Sequence, residues 1–414
     1  TLLDRVWDAA ALDAHRRCLE DHLALRALLV RNDWVAFVAD GSRLARRSGE
    51  EDTPMEEGNV PFVAPPEMAA EVDLPHAGRI RGTAIPRGIT LLCGGGFHGK
   101  STLLRALAAA VHPHVPGDGR ERVACDPTAL AIRAEDGRAI TGIDLRPFLR
   151  SLPSGHDLAR FTTGNASGST SQAAAILEAL AAGSCCLLID EDTSATNFLL
   201  RDPWMAKLLD EDREPIVPLL ARLREIHDRF GVSTILVVGG SGEAFRIADR
   251  ALMMNAYRAE DATARMLQIR EAMGEGTTAA PTEWPPPERR LPLDRLRRSD
   301  PRVKAVGARK LLVGRSEVDL GASGALVHPS QARTLATILS AVLSREGPAE
   351  ELPALAEWAA DRIETRGAGA FSPFPRGDLA EVRAQEIAML FNRLRYGAGR
   401  GRPSPPGTEA PSRG

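Results

Sequence analysis

The sequence predicts an α/β fold with a mainly parallel sheet and crossover helices, flanked by small N-terminal and C-terminal α+β domains. Two patterns carry that reading. From Ile89 to Met254, apolar runs of strand length alternate with helix-forming stretches, as in parallel strands joined by helices that pack back across the sheet. A glycine-rich turn, Gly94 to Thr102, joins the first of these strands to the first helix.

The elements follow in chain order. Leu2 to Val30 spaces Leu and Ala at helical intervals, and WVAFVADGS (Trp34 to Ser42) reads as a strand ending in a turn. Arg43 to Gly58 is a charged surface loop, and Val72 to Gly88 is a short hairpin leading into the buried strand ITLLCGG. The central run continues through LLRALAAAV, SQAAAILEALAAG, CCLLIDED, VPLLARLREIHDRFG, STILVVGG and RALMMNA. Prolines in PTEWPPPERRLP predict an exposed connector over Asp261 to Asp300, because Pro fixes φ and lacks an N–H. KLLVGRSEVDL reads as two short strands, while SQARTLATILSAVLSR, LPALAEWAADRIETR and AEVRAQEIAMLFNRLR read as amphipathic helices. The closing YGAGRGRPSPPGTEAPSRG is low in complexity and expected to be disordered. The expected domains are therefore N-terminal 1–78, core 79–260, connector 261–300 and C-terminal 301–396, with a tail over 397–414.

Composition narrows the function classes. With 414 residues, 43% hydrophobic and 26% charged, the chain is neither disordered throughout nor fibrous. No apolar run reaches the roughly eighteen residues of a membrane helix, so no membrane partner is expected. A net charge of −3 leaves any polyanion site to a local patch. The basic residues are almost all Arg, so Lys100 inside the glycine-rich turn stands out. Five cysteines at no ligand or framework spacing point to a reducing compartment. The chain opens on Thr1, with no signal-peptide pattern and no initiator Met, so further N-terminal sequence is expected.

GGGFHGKST matches G-x-x-x-x-G-K-S/T at Gly94, Gly99, Lys100 and Ser101, between a strand and a helix. Such a loop aims backbone N–H groups at phosphate oxygens. Its expected ATP contacts are Gly94, Gly95, Gly96, Phe97, His98, Gly99, Lys100, Ser101 and Thr102, with Lys100 on the β/γ oxygens and Ser101 on magnesium. CCLLIDED ends in Asp190 and Glu191. There Asp190 is placed to hold magnesium through water and Glu191 to take a proton from the attacking water, which makes Glu191 and Lys100 the expected catalytic residues. A solvated acidic strand end is the simpler alternative. FTTGNASGSTSQAA opens a second anion-shaped helix start, with Ser167, Gly168 and Ser169 as donors and Asn165 or Ser167 as cap.

That order, phosphate loop, Ser-Gly signature, Asp-Glu and a short Ser-Ala stretch, resembles the ABC-class ATPases. The resemblance implies a head-to-tail homodimer in which Ser167 and Gly168 serve the ATP of the partner. It reads DEDTSATN (Asp190 to Asn197) as the acidic strand end followed by the dimer-contact loop, with Thr196 and Asn197 where Leu-Asp is usual. VVGGSGEAFRIAD lies where the class has a switch His, and this segment has none. Ser241, between Gly240 and Gly242, is either its substitute or a plain turn residue. Glu135 or Asp136 in AIRAEDG stands in for the missing glutamine loop. These departures imply slow hydrolysis used as a switch, and an ATP-gated scaffold with negligible turnover is the alternative.

GGGFHGKST, VHPHVPGDGRE, IRAEDGR, NASGSTSQAA, LLIDEDTSATNFLLRD, GVSTILVVGGSGEAF, VAFVADGS and HPSQAR together resemble a narrower family of soluble ABC-class ATPases, over Glu20 to Arg395. That family includes a kinetoplastid mitochondrial RNA-editing accessory ATPase. The resemblance implies RNA as client, a mitochondrial address with the cytoplasm as alternative, and membership of a larger RNA-processing complex. Candidate phosphate contacts are Arg43, Arg46 and Arg47, Arg79, Arg81 and Arg87, Arg289 and Arg290, Arg295, Arg297 and Arg298, and the arginines of Arg393 to Arg402. His98 is open to a phosphate, to the base or to neither. His112 and His114 lack the partners of a metal site, and Cys185 and Cys186 read as small apolar strand residues.

Overall fold

The N-terminal third builds two layers around one strand. In a computed structural model describing residues 8–48, 52–151, 157–201, 214–273, 282–285, 289–344 and 351–396, helix α1 (Ala9–Arg31) starts where the Asp8 carboxylate accepts from the Ala10 N–H at 2.9 Å. Strands β1 (Trp34–Ala39), β2 (Ala69–Leu74) and β3 (Gly78–Pro86) follow, then β4 (Ile89–Cys93), α2 (Lys100–Ala109) and β5 (Val123–Cys125). An antiparallel sheet in the order β2-β3-β1-β5 results, with β1 paired to β3 on one side and β5 on the other. The expected boundary after residue 78 falls inside this sheet, one residue into β3.

The central layer adds β6 (Leu130–Ile132), β7 (Ile140–Ile143), β8 (Phe161–Thr163), α3 (Gly168–Ala181), β9 (Cys186–Asp190), α4 (Thr196–Leu199), α5 (Leu220–Phe230), β10 (Ser233–Val237), β11 (Arg250–Asn255) and β12 (Arg258–Asp261). Its sheet runs β12-β11-β4-β10-β9-β6, parallel except for β12. Strands β9 and β10 are buried at every position. Both faces are covered, so these strands read as unbroken apolar runs rather than as alternation. Residues of α3 and α5 pack on one face, and α2 packs on the other. Helix α3 starts at Gly168, and of the two caps open to it, Asn165 and Ser167, it is Ser167 that caps it.

The segment read as an exposed connector is partly structured. Helix α6 (Thr263–Met273) buries Met266, and Trp284 packs edge-on against Phe148 and Phe230 at 5.7 and 5.3 Å. Its indole N–H donates to Glu225 at 2.7 Å, so an aromatic anchor overrides the proline-rich surroundings. Helix α7 (Leu293–Arg297) then leads to β13 (Val303–Val306), after which KLLVGRSEVDL forms the two short strands expected of it, β14 (Lys310–Val313) and β15 (Ser316–Asp319). Helices α8 (Pro329–Leu343), α9 (Leu352–Arg366) and α10 (Ala384–Arg393) close a separate apolar cluster. The tail expected to be disordered lies outside the described residues. Among those described, no helix is long and apolar enough to cross a membrane.

Charge joins this C-terminal cluster to the central layer. Arg393 on α10 meets Glu135 at 2.5 Å, and Arg138 forms a two-pronged pair with Glu178 of α3 at 3.1 and 2.9 Å. Burial alone would raise the Glu135 carboxyl, but Arg393 and Arg138 hold it below its ordinary value. Arg383, beside α10, donates to the Pro127 and Ala129 carbonyls at 2.6 and 3.0 Å.

On α1, His22 is fully buried and neither ring nitrogen has a hydrogen-bond partner among the described residues. Burial, with Arg26, His114 and His112 nearby, pushes its pKa down to about 3, and burial drives His112 down to about 4.

Two outcomes follow. Replacing Arg393 with Met leaves the Glu135 carboxylate buried without its cation, and chemical denaturation is expected to show a loss of about 3–5 kcal/mol. A depressed His pKa means the unfolded chain binds the extra proton. Stability therefore falls as pH drops from 6.5 toward 4, and His22→Leu is expected to reduce that slope by up to about 1.4 kcal/mol per pH unit in a denaturation series.

Candidate functional site

The parallel order β4-β10-β9 brings three chain exits to one sheet edge, which is where ligands collect in open α/β sheets. After β4 the chain turns sharply. Gly94 has φ 135°, and a Cβ there would stand 2.3 Å from the Met254 carbonyl oxygen, so only glycine fits. Gly99 has φ 97° and is followed directly by α2. The turn thus ends on a helix N-terminus whose unpaired N–H groups and dipole suit an anion.

Lys100 is buried, and its ammonium donates to the Gly94 and Gly95 carbonyls at 2.8 and 2.7 Å. The loop curls around its own cation. Ser101 and Thr102 sit half-buried in the first turn of α2. Gly95, Gly96 and Phe97 are exposed, Phe97 with φ 63° and 99% of its surface free. His98 does not point away from the loop. Its Nδ1 accepts from the Ala256 N–H at 2.9 Å, tying the loop to the β11–β12 turn.

Asp190 is the buried last residue of β9, and its Oδ1 accepts from the Asp192 N–H at 3.1 Å. The Glu191 carboxylate accepts two backbone N–H bonds, from Gly239 at 2.5 Å and Gly240 at 3.1 Å. These amides lie directly beyond β10, in the segment that lacks a His. A Cβ on Gly239 would stand 3.7 Å from Lys100 Nζ and 3.8 Å from Glu191 Oε2, so cation, carboxylate and the 239–240 backbone converge. Sequence reasoning missed the two glycines, and their only local signal was the pair Gly239-Gly240 itself. Ser241 accepts from the Glu243 N–H at 3.2 Å and so caps the following turn.

The Ser167 to Ser169 segment is placed elsewhere. Ser167 Oγ accepts from the Thr170 N–H at 3.4 Å and lies 3.3 Å from Ser169 Oγ. No hydrogen bond among the described residues joins this segment to the phosphate loop. A Cβ on Gly168 would stand 3.3 Å from Asp136 Oδ1, and the Glu135 N–H donates to Ser171 Oγ at 2.9 Å. Of the two acids, Asp136 faces the helix start while Glu135 is taken up by Arg393. Gln172, fully buried, was also missed. It donates to Ser194 Oγ at 2.9 Å and accepts from the Ala195 N–H at 2.8 Å, holding the stretch after Glu191 against α3.

The chemistry fits a nucleoside triphosphate. A lone ammonium held by two carbonyls is free to trade them for phosphate oxygens, which are stronger acceptors. Ser101 and Asp190 offer hard oxygen donors of the kind magnesium takes. His114 Nδ1 pairs with Asp118 at 2.7 Å, and His112 Nε2 lies 3.9 Å from Glu386. Three of the arginines expected on RNA are instead buried in ion pairs: Arg46 with Asp118 and Asp52, Arg289 beside Glu178, and Arg393 with Glu135. Burial and a carboxylate partner remove them from any surface patch.

Comparison with known proteins agrees with this geometry. Residues 8–289 match the family model ABC_ATPase, a P-loop domain, and residues 302–398 match the model of the MRB1590 C-terminal domain. An uncharacterized protein of Methanocaldococcus jannaschii is 28% identical over 272 residues, 62% of this chain and 57% of the relative, so the chain spans little more than half of that relative's length. The structure of CbiO1 from Clostridium perfringens, part of an ABC transporter complex, aligns at 15% identity with a TM-score of 0.34, covering 58% of this chain and 93% of that one. A family model spanning the phosphate loop, the acidic strand end and both sheets leaves one conclusion: the chain belongs to the ABC ATPase family of P-loop proteins that includes the MRB1590-like proteins.

Proposed function

We propose that the protein binds Mg-ATP at the Gly94–Thr102 loop and hydrolyses it in a head-to-tail homodimer, with RNA as its client in an RNA-processing complex. The observation that carries the hydrolytic half is the meeting of Lys100, Glu191 and the Gly239-Gly240 amides at one sheet edge. In this reading the loop amides and Lys100 hold and orient the triphosphate. Ser101 and Asp190 hold magnesium, which neutralises charge on the phosphates. Glu191 orients the attacking water and accepts its proton. Ser167 and Gly168 lie apart from their own chain's loop, which supports a role toward the ATP of a second copy.

The RNA half is supported by a groove of about 750 Å³ in the C-terminal domain. Lys304, Arg333, Arg362 and Arg376 line it together with the Thr337 and Ser340 hydroxyls, and one carboxylate, Asp378, pairs with Arg376 at 2.7 Å and lies 3.7 Å from Arg333. Phe374, 73% exposed, stands nearby. Four cations against one carboxylate leave the groove net positive, and with the aromatic beside it that suits a phosphate backbone with stacked bases. A mitochondrial address rests only on likeness to the MRB1590 domain.

A second reading, an ATP-gated binder with negligible turnover, draws on the same Glu191 contact, since a carboxylate already holding two amides is restrained as a base. Steady-state phosphate release separates the two. Hydrolysis predicts that Glu191→Gln lowers kcat by on the order of a hundredfold or more while ATP still binds; equal rates for variant and parent establish the gated binder instead. For the client, fluorescence anisotropy with single-stranded RNA across a salt series is expected to show affinity falling steeply with salt. The pair Lys304→Ala and Arg376→Ala is expected to lower the salt slope by about two. No binding at low salt removes the RNA assignment.

A further inference from the structure

We propose that the β11–β12 turn carries the base-recognition surface of the nucleotide site, with the Tyr257 ring as the face on which a purine base stacks. This rests on the nucleotide reading above and goes beyond it, because the phosphate loop by itself grips only the triphosphate.

The turn breaks a local rule. Asn255 pairs with Arg258, so only Ala256 and Tyr257 connect the strands, and both are left-handed, with φ 45° and 64°. A two-residue connection of this kind favours Asn-Gly, since each Cβ in that region of φ is crowded by its own backbone. Only five described non-glycine residues have positive φ, and three of them, Phe97, Ala256 and Tyr257, lie in this turn and the loop it touches. Strain that a glycine would relieve, kept at a ligand site, marks a side chain retained for a purpose.

The surroundings fix where that side chain goes. Ala256 N–H donates to His98 Nδ1 at 2.9 Å and Tyr257 N–H to the His98 carbonyl at 3.0 Å, so the phosphate loop itself holds the turn in shape. The Tyr257 ring lies on Gly99, its Cδ1 2.7 Å from where a Cβ would be, and this leaves no room for any side chain at Gly99. Tyr257 nevertheless stays 42% exposed as a residue. An aromatic braced on the residue before Lys100, with part of its surface open, is a shelf beside the phosphate site. A purine offers the broad π-face such a shelf accepts.

The test compares ATP with inorganic tripolyphosphate, which shares the phosphates and lacks the base, by isothermal titration calorimetry on the full chain. Tyr257→Gly removes the ring and suits the turn better, so folding is not put at risk; Tyr257→Phe keeps the ring. The expected result is an ATP Kd weakened on the order of tenfold in Tyr257→Gly, an unchanged tripolyphosphate Kd, and near-parental values in Tyr257→Phe. An unchanged ATP Kd in Tyr257→Gly overturns the proposal. So does an equal loss for both ligands, which assigns the ring to shaping the loop. Failure of the parent protein to bind either ligand overturns the nucleotide reading and this proposal with it, whereas a parent that binds ATP no more tightly than tripolyphosphate overturns the base surface alone.

Discussion

A buried carboxylate must be paired, and Glu135 is the one on which the arrangement around α3 depends. Its partner Arg393 comes from α10, the last described helix, and its own N–H reaches Ser171 on the first turn of α3. The neighbouring Ala134 N–H donates to the Thr193 carbonyl at 2.9 Å, just past Glu191. One short segment therefore touches the C-terminal domain, the Ser-Gly helix start and the acidic strand exit. Desolvating these charges is costly, and only the complete set of partners recovers that cost. The set consequently acts as a register: the C-terminal cluster docks in the one position that satisfies Glu135, Arg138 and Glu178 together.

The phosphate side is built on a different principle, main-chain geometry. Gly94 comes close to the Met254 backbone, Gly239 and Gly240 to the Glu191 carboxylate and Gly99 to the Tyr257 ring, and the loop's only buried cation is held by carbonyls. Fixed dipoles need little reorganisation when charge develops on a bound group. The two halves meet at Asp190 and Glu191, which end a β9 strand fixed by the sheet and begin a loop that Gln172 holds against α3. A shift of the C-terminal domain has a short covalent and hydrogen-bonded route to the strand end that carries Asp190 and Glu191.

What the sequence revealed was whatever is local. The Gly94–Thr102 loop, Asp190 and Glu191 at a strand end, and Ser167 opening a helix are each contiguous patterns with one conformational outcome, and each lies in the element expected of it. What it concealed depends on residues far apart in the chain. Nothing near Glu191 announces that Gly239 and Gly240 will hold it, nor does TEWPPP disclose that Trp284 fills a gap beside Phe148. Arginine was the least legible residue type, because exposure decides its role. Arg46, Arg289 and Arg393 look like surface charge in the sequence and are interior struts in the fold, whereas Arg333 and Arg376 drew no notice and line the groove.

The position of β1 bears on how the chain is made. It is the middle strand between β3 and β5, yet it is synthesised before either of them, and β5 arrives only after the phosphate loop and α2. During vectorial synthesis on the ribosome, the apolar VAFVA segment has both hydrogen-bonding edges unsatisfied until those strands emerge, which is the condition under which exposed strands associate wrongly. Among the described residues α1 is the element that precedes β1, and it touches β1 in the finished fold, so it can cover one face of the segment meanwhile. A chain cut between β1 and β3 would therefore leave this apolar strand without either of the partners that satisfy its edges.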